Sequence, residues 1–173
     1  MKQAMIDYVQ RGSFDELYTP PYAIHPILKY IPREIKKIWC PFDTEESNYV
    51  KILKGAGYQV YASHKDTGGN FFESDFNDYD MIISNPPFSL KDDVLERCFS
   101  LGKPFALLLP ITALEGQKRS KLFSRNGISV IVLDKRIDFN GKKSCWFNTS
   151  YFLWHPFYQN RLFFEVVNEN ITE

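Results

Sequence analysis

The sequence predicts an α/β fold with a mostly parallel sheet, helices on both faces and an antiparallel hairpin at its C-terminal end. Three observations predict it. Short apolar runs alternate with amphipathic helical stretches from about residue 35 to 133, which implies strand–helix–strand units. Phe105–Leu109 and Ile128–Leu133 are continuously apolar, as in strands buried on both faces. Beyond them the pattern changes to Arg136–Phe139, the turn-prone Asn140-Gly141 and the alternating Ser150–His155, which read as a hairpin. The 173 residues suit one domain with a sizeable core, and they are too few for two ordinary domains.

In chain order, residues 35–40 form the first strand, ended by Pro41. A helix over about 44–54 follows, with Thr44 as N-cap and Glu45-Glu46 at the positive end of its dipole. Gly55 and Gly57 end that helix as a C-cap. A Gly-x-Gly at the start of a helix would suggest a dinucleotide site; here it stands at the end of one. Residues 58–62 make the second strand. A short strand is expected next, which makes the run at 79–84 the fourth. Leu90–Leu101 is a helix with Val94, Leu95, Cys98 and Phe99 on one face, closed by Gly102. Residues 112–125 are a basic helix between the two continuously apolar strands.

Composition excludes some classes of function. The formal net charge is zero and no stretch approaches transmembrane length, so neither a global polycation nor a membrane span is indicated. Cys40, Cys98 and Cys145 are odd in number and lack metal-ligand spacing, which suggests reduced thiols and a cytoplasmic protein. Residues 103–143 carry nine Lys and Arg against Glu115, Asp134 and Asp138. Such a run ordinarily marks a solvated helix face. As a groove wall for nucleic acid it would present Lys118, Arg119 and Lys121.

Asn85-Pro86-Pro87-Phe88 directly follows the apolar run at 79–84. Each proline fixes its own φ and pushes the preceding residue out of the helical region, so the strand stops in a rigid turn. An amide oxygen, a main-chain carbonyl and an aromatic ring then converge. They suit a planar ligand bearing an NH2 group. Asn-Pro and Pro-Pro also form turns that serve no ligand. Position favours the ligand, because open α/β sheets bind at the carboxyl ends of their strands.

With Tyr18-Thr19-Pro20-Pro21 before the first strand, this pattern resembles the S-adenosylmethionine-dependent adenine-amino (N6) DNA methyltransferases. The likeness runs from about Tyr18 to Trp154 and is to a small, phage-like form without a separate target-recognition domain. It implies a Rossmann-like methyltransferase fold, with a cofactor half at about 15–75 and a catalytic half at about 76–158. It also implies S-adenosyl-L-methionine as cofactor. Tyr18, Thr19 and Pro20 would touch its methionine end, and Cys40, Pro41, Phe42 and Asp43 would form the loop after the first strand. His64 and Asp66 stand where the family binds the ribose, and Asn70 and Phe71 where it meets the adenine. Asn85, Pro86, Pro87 and Phe88 would be the catalytic tetrapeptide. The loop departs from the family pattern. Cys40, His64 and Asn70 stand at or near positions that are usually acidic, and Thr44 and Glu46 replace glycines.

The resemblance implies methyl transfer to the exocyclic amine of adenine, in DNA before RNA. Related families use the same tetrapeptide on RNA bases or on a protein amide, and a silent binding module with this fold is a third reading. So short a chain leaves little room for target recognition. A short or single-stranded target, or a partner protein, is therefore expected.

Overall fold

The structure, a computed structural model, describes residues 18–139, 147–155 and 160–171. Its seven strands are β1 (Lys37–Cys40), β2 (Gln59–Ala62), β3 (Met81–Ser84), β4 (Phe105–Pro110), β5 (Ser129–Leu133), β6 (Thr149–Trp154) and β7 (Leu162–Glu165). They form one sheet in the order β2-β1-β3-β4-β6-β5-β7. All neighbours are parallel except β6, which runs antiparallel to both β4 and β5. Helices α1 (Pro21–Leu28) and α2 (Asn48–Gly55) cover one face, where Ile24, Ile27 and Leu53 meet Ile38, Ile83 and Leu108. Helices α3 (Lys91–Leu101) and α4 (Gln117–Asn126) cover the other, where Val94, Leu95 and Phe123 meet Ile82, Leu107 and Val130. The expected α/β class with helices on both faces is what the chain forms.

The chain leaves β1 toward β2 on one side and later returns to β3 on the other. This is the switch point at which open sheets bind ligands, outside the carboxyl ends of the strands.

Four expected elements differ from those observed. No strand lies between Ala62 and Met81, so the tetrapeptide follows the third strand in chain order. That segment instead forms a 3-10 turn at Lys65–Thr67 and a turn in which Asn70 Oδ1 accepts the Phe72 amide at 3.0 Å. These turns place Phe71 and Phe72 under the sheet rather than beside it: Phe71 is fully buried against Trp39 and Phe42.

The helix after β1 begins at Asn48, with Ser47 at its N-cap and Thr44 outside. Ser47 Oγ accepts the Thr44 amide at 3.0 Å, which closes a tight turn around Glu45 and Glu46 before helical geometry starts. The basic helix is split by Glu115 and Gly116 into a 3-10 turn (Ile111–Leu114) and α4. Gly116 has φ +104°, which a side chain disfavours.

The antiparallel strand is real, but its partners are β4 and β5 rather than residues 136–139. Ile137 and Phe139 are buried in the core next to α1 instead. Asn140-Gly141, the proposed turn, lies outside the described residues. The edge strand β7 was not expected from sequence. Its Leu162 and Phe164 are exposed while the alternate Phe163 packs on Tyr30, so its alternation is too short and too apolar to read as a half-buried strand. Among the described residues no helix is long and apolar enough to cross a membrane.

Candidate active site

A cleft of about 280 Å³ opens at the carboxyl ends of β1, β2 and β3. Thr19 and Tyr18 come from the segment before α1, Phe42–Thr44 and Glu46–Tyr49 from the loop after β1 and the start of α2, His64–Asp66 from the end of β2, and Asn85 and Pro87 from the end of β3. The strand ends and their loops thus bring together eight expected residues: Tyr18, Thr19, Phe42, Asp43, His64, Asp66, Asn85 and Pro87.

The β3 wall is built from neutral hydrogen bonds. Asn85 donates from Nδ2 to Thr19 Oγ1 at 3.1 Å, and Asn48 Nδ2 donates to the Thr19 carbonyl at 3.0 Å. Thr19, only 6% exposed, is therefore held from two sides. Tyr49, fully buried at the start of α2, has its phenol oxygen 2.8 Å from that of Tyr151 in β6. Burial pushes the ionisation of Tyr49 and Tyr151 well above the ordinary tyrosine range, so both remain neutral phenols.

The β1 wall is different. Asp43 is buried, and Ser84 Oγ donates to its Oδ2 at 2.5 Å. Desolvation raises its pKa to about 6 against the lowering effect of the nearby Ser84 and Ser47 hydroxyls. Among the described residues no cation pairs with it. Glu46, on the same loop, reaches Lys51 at 3.0 Å. With Asp66 across the mouth, the cleft has acidic character.

At the end of β2, His64 Nδ1 meets the Asp66 amide at 3.2 Å and the Asp66 carboxylate at 3.3 Å. The Gly69 amide donates to the His64 carbonyl at 2.9 Å, and a Cβ on Gly69 would stand 2.9 Å from Ser63 Cβ. Only glycine allows the chain to close this tightly behind His64.

Several expected residues lie elsewhere. Cys40 is fully buried and faces the core of α1 and α2, because it is the last residue of β1 and its side chain points away from the loop. Pro20, Pro41 and Pro86 shape the backbone without lining the cleft. Asn70 is committed to Phe72 and to Glu73, and Phe71 is core. Phe88 packs edge-on against Phe147 (5.5 Å between centroids) and Phe139 (6.3 Å) beside the cleft. Arg119 is bound to Asp92 and to the Ala113 carbonyl and is largely buried. Lys118 faces Asp93 and Glu96, and Lys121 is exposed. Sequence reasoning missed Asn48 and Tyr49. Their only signal is their place directly after the β1 loop.

No family model and no curated protein matches this chain. Solved structures do. A putative class I S-adenosylmethionine-dependent methyltransferase from Listeria monocytogenes aligns with a TM-score of 0.51 at 13% identity, over 85% of this chain and 64% of that one. The fold is that of the Rossmann-like methyltransferases. The methyltransferase subunit of a type I restriction-modification system from Streptococcus thermophilus aligns with a TM-score of 0.48 at 16% identity, over 86% of this chain and 46% of that one. The chain thus spans less than two-thirds of the length of either structure.

Proposed function

We propose that this chain is an S-adenosyl-L-methionine-dependent methyltransferase acting on the exocyclic amine of adenine in nucleic acid, with DNA as the first substrate. The observation that carries this reading is the Asn85 amide. It stands at the carboxyl end of β3, its nitrogen held by Thr19, on a cleft that also holds the buried Asp43 carboxylate.

The residues present suit this cofactor by charge. A buried carboxylate beside no cation, in an acidic cleft, favours a ligand with an ammonium and a sulfonium group. Asp43, with Tyr18, Thr19 and Phe42, would hold the amino-acid end. His64 and Asp66 would take the ribose hydroxyls. Asn70 and Phe71 lie outside the cleft, and the adenine would rest on other residues. When bound, S-adenosylmethionine supplies an electrophilic methyl group.

The chain's own task is to prepare the amine. An adenine amine is a weak nucleophile because its lone pair is delocalised into the ring. The Asn85 Oδ1 and the Pro86 carbonyl would accept its two N–H hydrogens, draw the lone pair onto nitrogen and aim it. These acceptors gain strength as positive charge develops on that nitrogen, so they favour the transition state over the ground state. Phe88, held edge-on by Phe139 and Phe147, would fix the plane of the base. No strong base is required, since the product ammonium is acidic. In a duplex the target must leave the stack, at a cost of a few kcal/mol that single strands avoid. A partner protein would supply target recognition.

The test is incubation with tritiated S-adenosylmethionine and separate pools of bacterial DNA, RNA and protein, with Asn85→Ala in parallel. Label is expected in DNA and not in the variant. Label in protein alone overturns the nucleic-acid reading, and equal label in Asn85→Ala overturns the mechanism. No label and no calorimetric heat with the cofactor would establish a silent module.

A further inference from the structure

The two edges of the sheet are finished differently. β2, at one edge, exposes polar Gln59 and keeps Val60 buried. β7, at the other, leaves Leu162, Phe164 and the following Val166 exposed at 59%, 73% and 82%. Leu162 and Phe164 share one face of the strand, in register with Val130 and Val132 of β5. Bonds on the paired side of β7 define its outward side. The Arg161 carbonyl accepts the Val130 amide at 2.8 Å, and the Arg161 amide donates to Ser129 Oγ at 3.1 Å. The Glu165 carbonyl accepts the Asp134 amide at 2.9 Å. Peptide groups alternate along a strand, so those of Leu162 and Phe164 point away from the sheet, where no strand meets them among the described residues. An apolar edge without the Lys or Pro that ordinarily blunts one is a template for a further strand.

We propose that β7 pairs antiparallel with β7 of a second copy of this chain, about a two-fold axis at Phe163, joining two sheets into one. The strand complements itself in that register. Leu162 stands opposite Phe164 of the second copy; both turn their peptide groups outward, so each such pair exchanges two hydrogen bonds and joins two exposed apolar side chains. Arg161, which is exposed, stands opposite Glu165 of the second copy, on the face where Glu165 already meets Tyr30 and, at 2.5 Å, Lys29. Registers centred on Leu162 or on Phe164 would instead set Arg161 or Glu165 against Phe163. Charge complementarity therefore selects both the register and the occupant, as in an isologous interface. The pairing does not depend on the methyl-transfer reading, because β7 lies across the sheet from the cleft at β1, β2 and β3.

Sedimentation velocity of the full chain tests this. The wild type should form a dimer with a dissociation constant on the order of 10 µM, as suits a short edge contact. Phe164→Lys should weaken association at least about 30-fold and leave the circular dichroism and Tm of the monomer unchanged, since this side chain is exposed. Arg161→Glu, which sets Glu against Glu, should weaken it about tenfold. The register is read by oxidation, with the wild type giving the background from its native cysteines. Leu162→Cys mixed with Phe164→Cys should form a disulfide-linked dimer, and neither variant should do so alone. Opposite residues bring their Cα atoms to about 5.5 Å, whereas diagonal ones stay beyond about 7 Å. A wild type still monomeric at about 100 µM, or association that Phe164→Lys does not weaken, overturns the proposal. Absence of the mixed disulfide, or cross-linking of either variant with itself, overturns the register centred on Phe163.

Discussion

The two walls of the cleft are built on opposite principles. The β3 wall joins the Asn85 amide to the Thr19 hydroxyl and sets the paired Tyr49 and Tyr151 phenols behind it, neutral groups held by one another's contacts rather than by charge. The β1 wall buries a carboxylate that accepts from Ser84, with no cation beside it among the described residues. The first is preorganised, so its cost is met during folding. The second is completed only by a positively charged ligand, so it opposes folding until that ligand binds. Damage to one wall should therefore appear in turnover, and damage to the other in affinity and stability.

Asn85→Ala is the severest test of this division. It should lower methyl transfer by at least about 100-fold, the usual cost of losing an acceptor or donor that acts on transition-state charge. Calorimetry should find the dissociation constant of S-adenosylmethionine within about threefold of wild type. If affinity falls as far as turnover, the walls are one unit and the comparison fails.

Asp43→Asn should act in the reverse sense. The cofactor's dissociation constant should rise about 10- to 50-fold, as expected for a lost charge-assisted hydrogen bond. Stability should rise, not fall. The folded protein holds the Asp43 proton up to about pH 6, whereas an unfolded aspartate releases it near its ordinary value of 3.8. Between these values the native state binds more protons than the unfolded state, so wild-type stability is lost as pH climbs through that window. Two units correspond to roughly 3 kcal/mol, and removing the charge should recover about 1–3 kcal/mol at pH 7. In urea unfolding the gain should shrink toward zero near pH 4. A variant less stable than wild type at pH 7 would show that Asp43 is not a stored cost.

The same carboxylate gives the wild type a pH dependence. A cationic ligand needs Asp43 ionised, so the affinity for S-adenosylmethionine should be constant above about pH 7. It should weaken by up to tenfold per unit once the pH drops below about 6. Asp43→Asn should show no such slope. A wild-type slope that survives the substitution assigns the titration to another group.

The two walls also differ in how well the sequence displays them. Asn85-Pro86-Pro87-Phe88 is legible because its information is local. An apolar run, two fixed φ angles and a polar tip are contiguous, and the alternation of elements puts them at a strand's carboxyl end. The β1 loop is less so. Asp43 sits in Asp-Thr-Glu-Glu-Ser, which reads as a solvated polar turn, and only the fold reveals that Ser84 reaches back across 41 residues to bury it. Cys40 was misplaced for a related reason: one residue of register decides whether a strand's last side chain faces the cleft or the core. The contact between Tyr49 and Tyr151 has no signature in any sequence window, because the two stand 102 residues apart. The order β4-β6-β5 likewise depends on pairing between distant strands, and the local turn signal at Asn140-Gly141 pointed to a nearer partner.

If the target is a nucleic acid, its phosphates need cations that neither wall provides in quantity. The first turns of α4 were the candidates, and the structure divides them. Arg119 is held by Asp92 and the Ala113 carbonyl, and Lys118 faces Asp93 and Glu96, so their charge is largely cancelled inside the protein. Lys121 is exposed and has no acidic partner among the described residues. Lys121→Glu should therefore weaken DNA binding by a few-fold and reduce the slope of log affinity against log salt by about 1. Lys118→Gln should alter the slope less, because its phosphate would have to displace two carboxylates. Neither change should affect cofactor affinity, since α4 lines no part of the cleft. Equal and null effects at both lysines would make α4 a solvated face, and the polyanion would then approach from the His64–Lys65 side of the mouth, across the β1 wall rather than the β3 wall.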